Sequence, residues 1–375
     1  MSIRHASLIS QILSLVSRHN FALDVAELKA ERHSKGFRCW DQFVAMLFCQ
    51  LAQAKSLREI NQGLRCCLGK LHHLGLKEAP RRSTLSYANA HRRYEVYERT
   101  FYRLLSRCRE IAPGKKFKFR NKLLSLDATV IDLCASLFDW AKFRQTKGAI
   151  KLHLLLDHDG YLPCFARITE GRVHEVNIAR TLELPAGSVV AIDKGYYDFN
   201  LFRKWTKKEI WFVTRLKKNA AFEVVEERAI PKIGNILQDQ LIRFTGAASA
   251  KKCPCVLRRV EVWDPEHERV IVLLTNHLKF GSTTIARIYQ DRWQIELFFK
   301  ELKQNLRVKT FVGTSANALH IQIWTALIAI LLLKYLRFKS KISWALSNLV
   351  ALVRWNLFTY RDLWAWIDNP YETPP

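Results

Sequence analysis

Leu123 to Ile131 reads LLSLDATVI, and the fold turns on how that stretch is read. Successive side chains of a strand point to opposite faces. Ser125, Asp127 and Thr129 then share one face, and Leu124, Leu126, Ala128 and Val130 share the other. This alternation predicts a strand. Asp127 sits in the middle of it. A carboxylate is uncommon within a strand and costly if buried without a partner. It belongs either on the solvated face of an edge strand or in a functional site, and this stretch alone leaves both open.

Downstream, strand patterns alternate with helical ones, which predicts an α/β class. Lys151 to Leu156 and Cys164 to Thr169 are expected strands, joined through Asp157-His158-Asp159-Gly160, where Asp-Gly is a hairpin signal. A helix is expected over Glu175 to Leu182. Ser188 to Ile192 is a short apolar run suited to a central strand, and it ends at Asp193-Lys194-Gly195. A helix over Phe199 to Lys207 and a strand over Ile210 to Leu216 follow. Between about residues 219 and 279, runs at Phe222 to Val225, Leu241 to Phe244, Val256 to Trp263 and Val270 to Thr275 predict a small antiparallel insert. From Ser282, a candidate N-cap, a long helical pattern runs to about Leu306. The remainder is helical and rich in Trp and Leu.

Upstream, the first 120 residues hold 23 Lys and Arg against nine Asp and Glu, a net +14 of the chain's +26. Nucleic acid or an anionic membrane is the natural partner of such a surface. Trp40, Phe43, Val44, Leu47, Phe48 and Leu51 recur at helical spacing. Ser56 and Glu59 form a capping box that opens a second helix containing Leu57, Ile60 and Leu64. Two short helices with a tight turn resemble a helix-turn-helix; a packing domain with a solvated basic face is the plainer alternative. A third helix is expected to start at Pro80-Arg81-Arg82-Ser83 and to carry Tyr97, Phe101, Leu104, Leu105 and Cys108 on one side. Pro113-Gly114-Lys115-Lys116 reads as a boundary. The domain reading is therefore 1–112, a helical DNA-binding region; 119–312, a catalytic region with the insert at about 219–279; and 313–375, a C-terminal helical region.

At 375 residues the chain exceeds one compact core, and 49% hydrophobic with 25% charged residues excludes disordered and collagen-like classes. The uncharged run Thr310 to Leu333 contains Gly313, Asn317, His320 and Gln322. Its apolar part falls short of the roughly 20 residues a membrane span needs, so a buried helix and no membrane partner are expected. Ser7, Ser10, Gln11 and Ser14 break any signal-peptide core, which points to the cytoplasm and reduced thiols. The nine cysteines show no zinc spacing. Without a Gly-rich phosphate loop, Gly-x-Ser-x-Gly or His-Glu-x-x-His, ATP-driven, serine-hydrolase and zinc-protease readings have no support.

The helix from Ser282 is the most informative element. With about 100° per residue and Tyr289 at zero, Arg292, Glu296 and Lys303 fall at about 300°, 340° and 320°. Ile288, Ile295, Phe298, Phe299, Leu302 and Leu306 form a separate apolar stripe. An exposed salt-bridge ladder through Arg292/Glu296 and Glu296/Lys300 is the ordinary reading, but Tyr289 has no use in one. Asp193, ending a central strand, stands where open α/β sheets place their ligand chemistry; a turn residue is the alternative. Three carboxylates from separate elements in a basic chain suit Mg²⁺ or Mn²⁺. Two such ions about 3.5–4 Å apart can activate an attacking oxygen and stabilise a leaving one on a phosphodiester. Asp127 is then the bridging ligand, Asp193 and Glu296 complete one ion's shell each, and Tyr289, Arg292 and Lys303 are the DNA-binding residues. The cluster Arg215-Leu216-Lys217-Lys218-Asn219 touches DNA or is simply solvated; His153 and His174 read as structural.

Here the sequence resembles the DDE transposases of bacterial insertion sequences, the branch with a Tyr-x2-Arg-x3-Glu-x6-Lys signature. Tyr289, Arg292, Glu296 and Lys303 match that spacing, and LDAT (Leu126 to Thr129) and DKGYYD (Asp193 to Asp198) look like the two Asp segments. The resemblance implies an RNase-H-like catalytic core with an inserted antiparallel β subdomain, flanked by helical regions. It implies metal-dependent cleavage at element ends followed by strand transfer, with two Mg²⁺ ions (Mn²⁺ as a substitute) on Asp127, Asp193 and Glu296. Double-stranded DNA, as terminal inverted repeats and target, is the implied partner of a homodimer in a synaptic complex, acting at the bacterial nucleoid. An RNase-H-like nuclease that cuts without joining and a non-catalytic DNA-binding protein are the rivals.

Overall fold

The computed structural model describes residues 6–32, 34, 36–67, 69–114, 117, 119–133, 138, 140, 142–144, 147–232, 234–308 and 311–372. In chain order the helices before the first strand are α1 (Leu8–Ser14), α2 (Arg18–Glu27), α3 (Cys39–Leu51), α4 (Leu57–Arg65), α5 (Arg82–His91) and α6 (Glu95–Ile111). Then come β1 (Leu123–Leu133), β2 (Lys142–Arg144), β3 (Lys147–Asp157), β4 (Leu162–Glu170), α7 (Glu175–Thr181), β5 (Val189–Ile192), α8 (Phe199–Lys207) and β6 (Trp211–Arg215). β7 (Phe222–Glu227), β8 (Ile236–Phe244), α9 (Ala247–Lys252), β9 (Leu257–Asp264) and β10 (Arg269–Thr275) follow. The chain closes with α10 (Ser282–Asp291), α11 (Trp293–Asn305), α12 (Ala316–Lys339), α13 (Leu346–Asn356) and α14 (Leu363–Asp368). Two compact units result: Met1–Pro113, Ile131–Ala149 and Phe299–Pro375 form one, and Gly114–Val130 and Ile150–Phe298 the other. Lys115 and Lys116 of the expected boundary lie outside the described residues.

In the first unit, α12 is the centre. The apolar run that begins it makes a helix apolar on every side, and such a helix must be covered. It packs against α3, α5, α6 and α13, and Leu319, Ile321, Ile323 and Ala326 to Leu333 are buried. Gln322, a polar residue within that run, is buried too: its Nε2 donates to the Arg307 carbonyl at 2.6 Å. Gln50 of α3 accepts from the Arg307 amide at 2.7 Å. The C-terminal helices, read from the sequence as a region of their own, therefore share one core with the N-terminal helices. Sequence periodicity marks an apolar face but not which face covers it.

The expected helix pair is present as α3 and α4. Ser56 Oγ accepts from the Glu59 amide at 3.2 Å, and Glu59 Oε2 accepts from the Lys55 amide at 2.9 Å. Gly63 lets α4 approach α3: a Cβ there would stand 2.6 Å from Phe48 Cζ. The third helix is broken into α5 and α6 rather than continuous. Arg92 leaves the helical region at ψ 142°, and Asn317 of α12 donates to the freed carbonyls of Asn89 and Arg92 at 2.8 and 2.6 Å. A helix end needs such partners, and here they come from more than 200 residues away.

In the second unit the strands run β3-β1-β5-β6-β10-β9-β8-β7, and β4 pairs with β3 off this path. β5 pairs in parallel with β1 and with β6, and its four residues are all buried. One face of the sheet carries Leu124, Leu126, Val190, Ile192 and Phe212 under Leu201, Phe202 and Trp205 of α8. The other carries Leu123, Val189, Ala191 and Val213 under Ile285 and Ile288 of α10. Covering both faces is usual where parallel strands are central. It also explains why the expected division of β1 into an apolar and a polar face is incomplete: Ser125 is fully buried, while Val130 is 37% exposed.

The four expected strands of the insert form an antiparallel set, β7 to β10, and they extend the central sheet. β10 pairs antiparallel with β6 through Leu273↔Arg215 and Leu274↔Thr214. Within it Arg258 donates from Nε and Nη2 to the two Asp239 oxygens at 2.8 and 2.6 Å, both side chains being buried. A fork-to-fork pair offsets much of the desolvation of two buried charges.

Candidate active site

The register of two parallel strands places the first two acids. β1 and β5 pair as Leu123↔Val189 through Leu126↔Ile192. The next positions are Asp127 and Asp193, so the two acids leave the paired segment side by side, at the carboxyl ends where α/β sheets hold their ligands. β1 continues to Leu133, so Asp127 lies mid-strand as expected, at the point where pairing with β5 stops. Asp193 caps the short turn Lys194–Tyr196, and its Oδ2 accepts from the Gly195 amide at 3.4 Å.

Glu296 arrives on the helix side. The long helix expected from Ser282 is interrupted at Arg292, between α10 and α11, and its cap is Gly281, one residue earlier than expected. The Arg292 amide divides its bond between the carbonyls of Ile288 and Tyr289, both at 3.2 Å, and Ile295 bonds three residues back to Arg292. The apolar stripe is where the pattern put it: Ile288 and Ile295 are buried completely and Phe298 nearly so. Arg292 then turns toward the acids. Its Nη2 donates to Glu296 Oε1 at 2.6 Å and its Nη1 stands 3.6 Å from Asp127 Oδ2. Arg215, at the end of β6, donates to Asp193 Oδ1 at 3.0 Å. That arginine, left open from the sequence, thus faces an acid rather than only solvent.

The electrostatics follow from crowding three carboxylates about two arginines. Burial first, and then the charges of Asp193 and Glu296, push the Asp127 carboxyl up to about 7, against the Ala128 amide and Arg292. Burial also works against ionised Asp193, but the Lys194 amide, Arg292 and Arg215 outweigh it and hold that carboxyl below its usual value. Desolvation works against the Arg292 charge, and Glu296 and Asp127 overcome it, so the guanidinium is held above its ordinary value. The Tyr289 hydroxyl, Nε and Nη1 of Arg292 and Nε of Arg215 are buried without a hydrogen-bond partner in this arrangement. Buried donors left unpaired are costly, and such a set beside carboxylates is suited to an incoming anion. The Tyr196 hydroxyl, in the same state and within the electrostatic reach of Asp127 and Asp193, escaped the sequence reading because a buried Tyr after Lys-Gly looks like core.

Among the described residues no group of three or more His, Cys, Asp and Glu stands close enough to hold a metal ion. Carboxylates are the donors a hard cation takes, and in this arrangement the Arg292 guanidinium occupies two of the three, Glu296 and Asp127. Lys303 lies further along α11 and belongs to the first unit. His153, read as structural, is fully buried and shares a 2.9 Å bond with Thr169.

A mixed sheet with parallel central strands, helices on both faces and two acids where the parallel pairing stops, in a strongly basic chain, is the architecture of RNase-H-like enzymes that process nucleic acids. Residues 118–332 match the Transposase DDE domain family, and residues 4–77 match a domain of unknown function, DUF4372. The chain belongs to the DDE transposase family, whose members cleave DNA and transfer the cut strand with the help of a divalent metal. A putative transposase y4zB of Sinorhizobium fredii is 32% identical over 302 residues, covering 79% of this chain and 83% of that protein. A probable transposase for insertion sequence element IS5377 of Geobacillus stearothermophilus is 25% identical over 340 residues, 90% of this chain and 87% of its own length. A putative transposase for insertion sequence element IS4SA of Synechocystis is 26% identical over 260 residues, covering 68% and 71%.

Proposed function

We propose that this transposase moves its element by cut-and-paste chemistry, with Asp127, Asp193 and Glu296 as the metal ligands and Tyr289, Arg292 and Lys303 as contacts to DNA. The observation that carries this reading is that Arg292 bridges Glu296 and Asp127 while the β1–β5 register sets Asp193, held by Arg215, beside Asp127. Two Mg²⁺ ions, or Mn²⁺ in their place, supply activation of the attacking oxygen and charge relief at the leaving one. The chain's own residues do the rest. Asp127, already crowded by like charge, gains most from a cation. Arg292, with the Tyr289 hydroxyl beside it, offers a phosphate oxygen a fork of donors.

The N-terminal helices are proposed to recognise the element's terminal inverted repeats. α4 exposes Arg58, Gln62 and Arg65 along one side, side chains able to reach base edges and phosphates. A groove of about 660 Å³ beside Trp40, with Arg18, Lys29, Arg32 and Arg38 against the single acid Glu31, adds net positive charge in the same unit. A homodimer pairing two ends in a synaptic complex at the nucleoid completes the reading. The test is cleavage and joining of labelled DNA carrying the gene's flanking sequence, with Mg²⁺, with EDTA and with Asp193→Asn. Metal-dependent nicking at a defined end, lost in the variant and followed by joining to a second duplex, is the expected result. Cleavage without joining would favour a nuclease, and binding without cleavage a non-catalytic DNA-binding protein.

A further inference from the structure

A buried chain of hydrogen bonds lies behind the acids. Ser125 Oγ meets His158 Nε2 at 2.7 Å, and His158 Nδ1 meets Asp291 Oδ2 at 2.6 Å. A carboxylate only accepts, so Nδ1 carries a proton and donates, and the Ser125 hydroxyl rotates to serve Nε2. The order Ser-His-Asp matches that of a hydrolytic triad, but Ser125 is 0% exposed and Asp291 6%. A nucleophile sealed inside a sheet reaches no substrate, so the chain acts on the protein itself.

Its two ends are telling. Ser125 lies on β1 two residues before Asp127, and Asp291 is the last residue of α10, immediately before Arg292. His158 stands between them in the turn from β3 to β4, where its amide donates to the Leu123 carbonyl at 3.1 Å. The Tyr161 hydroxyl adds a 3.4 Å contact to the same Asp291 oxygen. The turn DHDGY is thereby stitched to the Asp127 strand at one end and to the helix junction at the other. That junction is weak by itself, because the backbone bonds around Arg292 are shared or shortened in register.

Resting on the transposase reading of the site, we propose that Ser125, His158 and Asp291 are positioning residues that hold Arg292 in register with Asp127. A misplacement near 1 Å at a reacting centre costs about 10²-fold in rate, which sets the scale of the expected effect. In Asp291→Ala, end cleavage by the full chain falls about 10- to 100-fold, a larger change than the accompanying rise in Kd for an element end. Asp291→Asn recovers most of the rate, since its amide oxygen still accepts from His158. Because Asp291 acts through Arg292, Asp291→Ala/Arg292→Ala is no slower than Arg292→Ala alone.

Hydrogen exchange of the DNA-free chain supplies a readout independent of activity. Exchange over residues 288–296 speeds up in Asp291→Ala and returns toward wild type in Asp291→Asn. Unchanged exchange there, or rate losses that multiply in the double variant, would overturn the proposal. An inert wild-type protein would instead count against the transposase reading of the acids, and exchange at the junction would still decide whether the latch exists.

Discussion

Asp127 carries an internal conflict that can be measured. Its carboxyl is raised from 3.8 to about 7, so the native state binds a proton more readily than the unfolded chain. The stability this group contributes is fully present below about pH 4 and is lost as pH rises through about 7. A tenfold difference in proton affinity between the folded and unfolded chain corresponds to about 1.4 kcal/mol. In metal-free protein, Asp127→Asn should therefore raise the melting temperature at pH 8, with the gain shrinking steadily toward pH 5. A gain that did not depend on pH would mean that charge is not what burdens this position. Asp127 drew notice from its chemistry, because an acid in an apolar strand calls for a reason, though that stretch alone left the reason open. The latch behind it drew no notice: Ser125, His158 and Asp291 are 33 and 133 residues apart, and each by itself reads as a strand, turn or helix-end residue.

Among elements, the α3–α4 pair shows how much depends on one small residue. Phe48 closes over Gly63, and any Cβ there would collide with its ring. Gly63→Val should cost about 1–3 kcal/mol through overpacking, read as a lower denaturant midpoint. If α4 contacts the element ends, the same change should weaken end binding more than non-specific DNA binding, compared at one salt concentration. Equal loss of both would remove α4 from sequence recognition. The helices predicted from periodicity are mostly present, but their breaks escaped it. Arg92 and Arg292 interrupt helices in the middle of patterns that run straight through. At Arg92 the reason is a partner for the freed carbonyls, supplied by Asn317; at Arg292 the guanidinium is engaged with Glu296 and Asp127.

For the whole molecule, the shared core of N- and C-terminal helices changes what a truncation reports. α12 is covered by α3, α5 and α6, so deleting residues 1–112 uncovers a long apolar helix rather than removing a separable DNA-reading module. That deletion is expected to yield aggregated protein, and so is deletion of residues 313–375; size-exclusion chromatography distinguishes this from a soluble monodisperse remnant. A soluble, folded 113–375 fragment would show that the N-terminal helices are a module after all. The β insert has the same lesson for the second unit. Its strand β10 is hydrogen-bonded to β6, so the register of the insert is tied to the strand that positions Arg215 beside Asp193.

What the sequence by itself determined is chemical and local. The strands that carry Asp127 and Asp193, the apolar stripe that fixes which side of α10 and α11 is buried, the Ser56 cap and the large positive charge all follow from residue types at short spacing. Only the tertiary structure decided which acids meet and what stands between them. The β1–β5 register sets Asp127 beside Asp193, Arg292 holds Glu296 and Asp127, and the C-terminal helices fold onto the N-terminal ones. Each of these is a pairing between segments far apart in the chain. Periodicity records that a face must be covered or a charge answered, but the identity of the partner is a property of the folded whole.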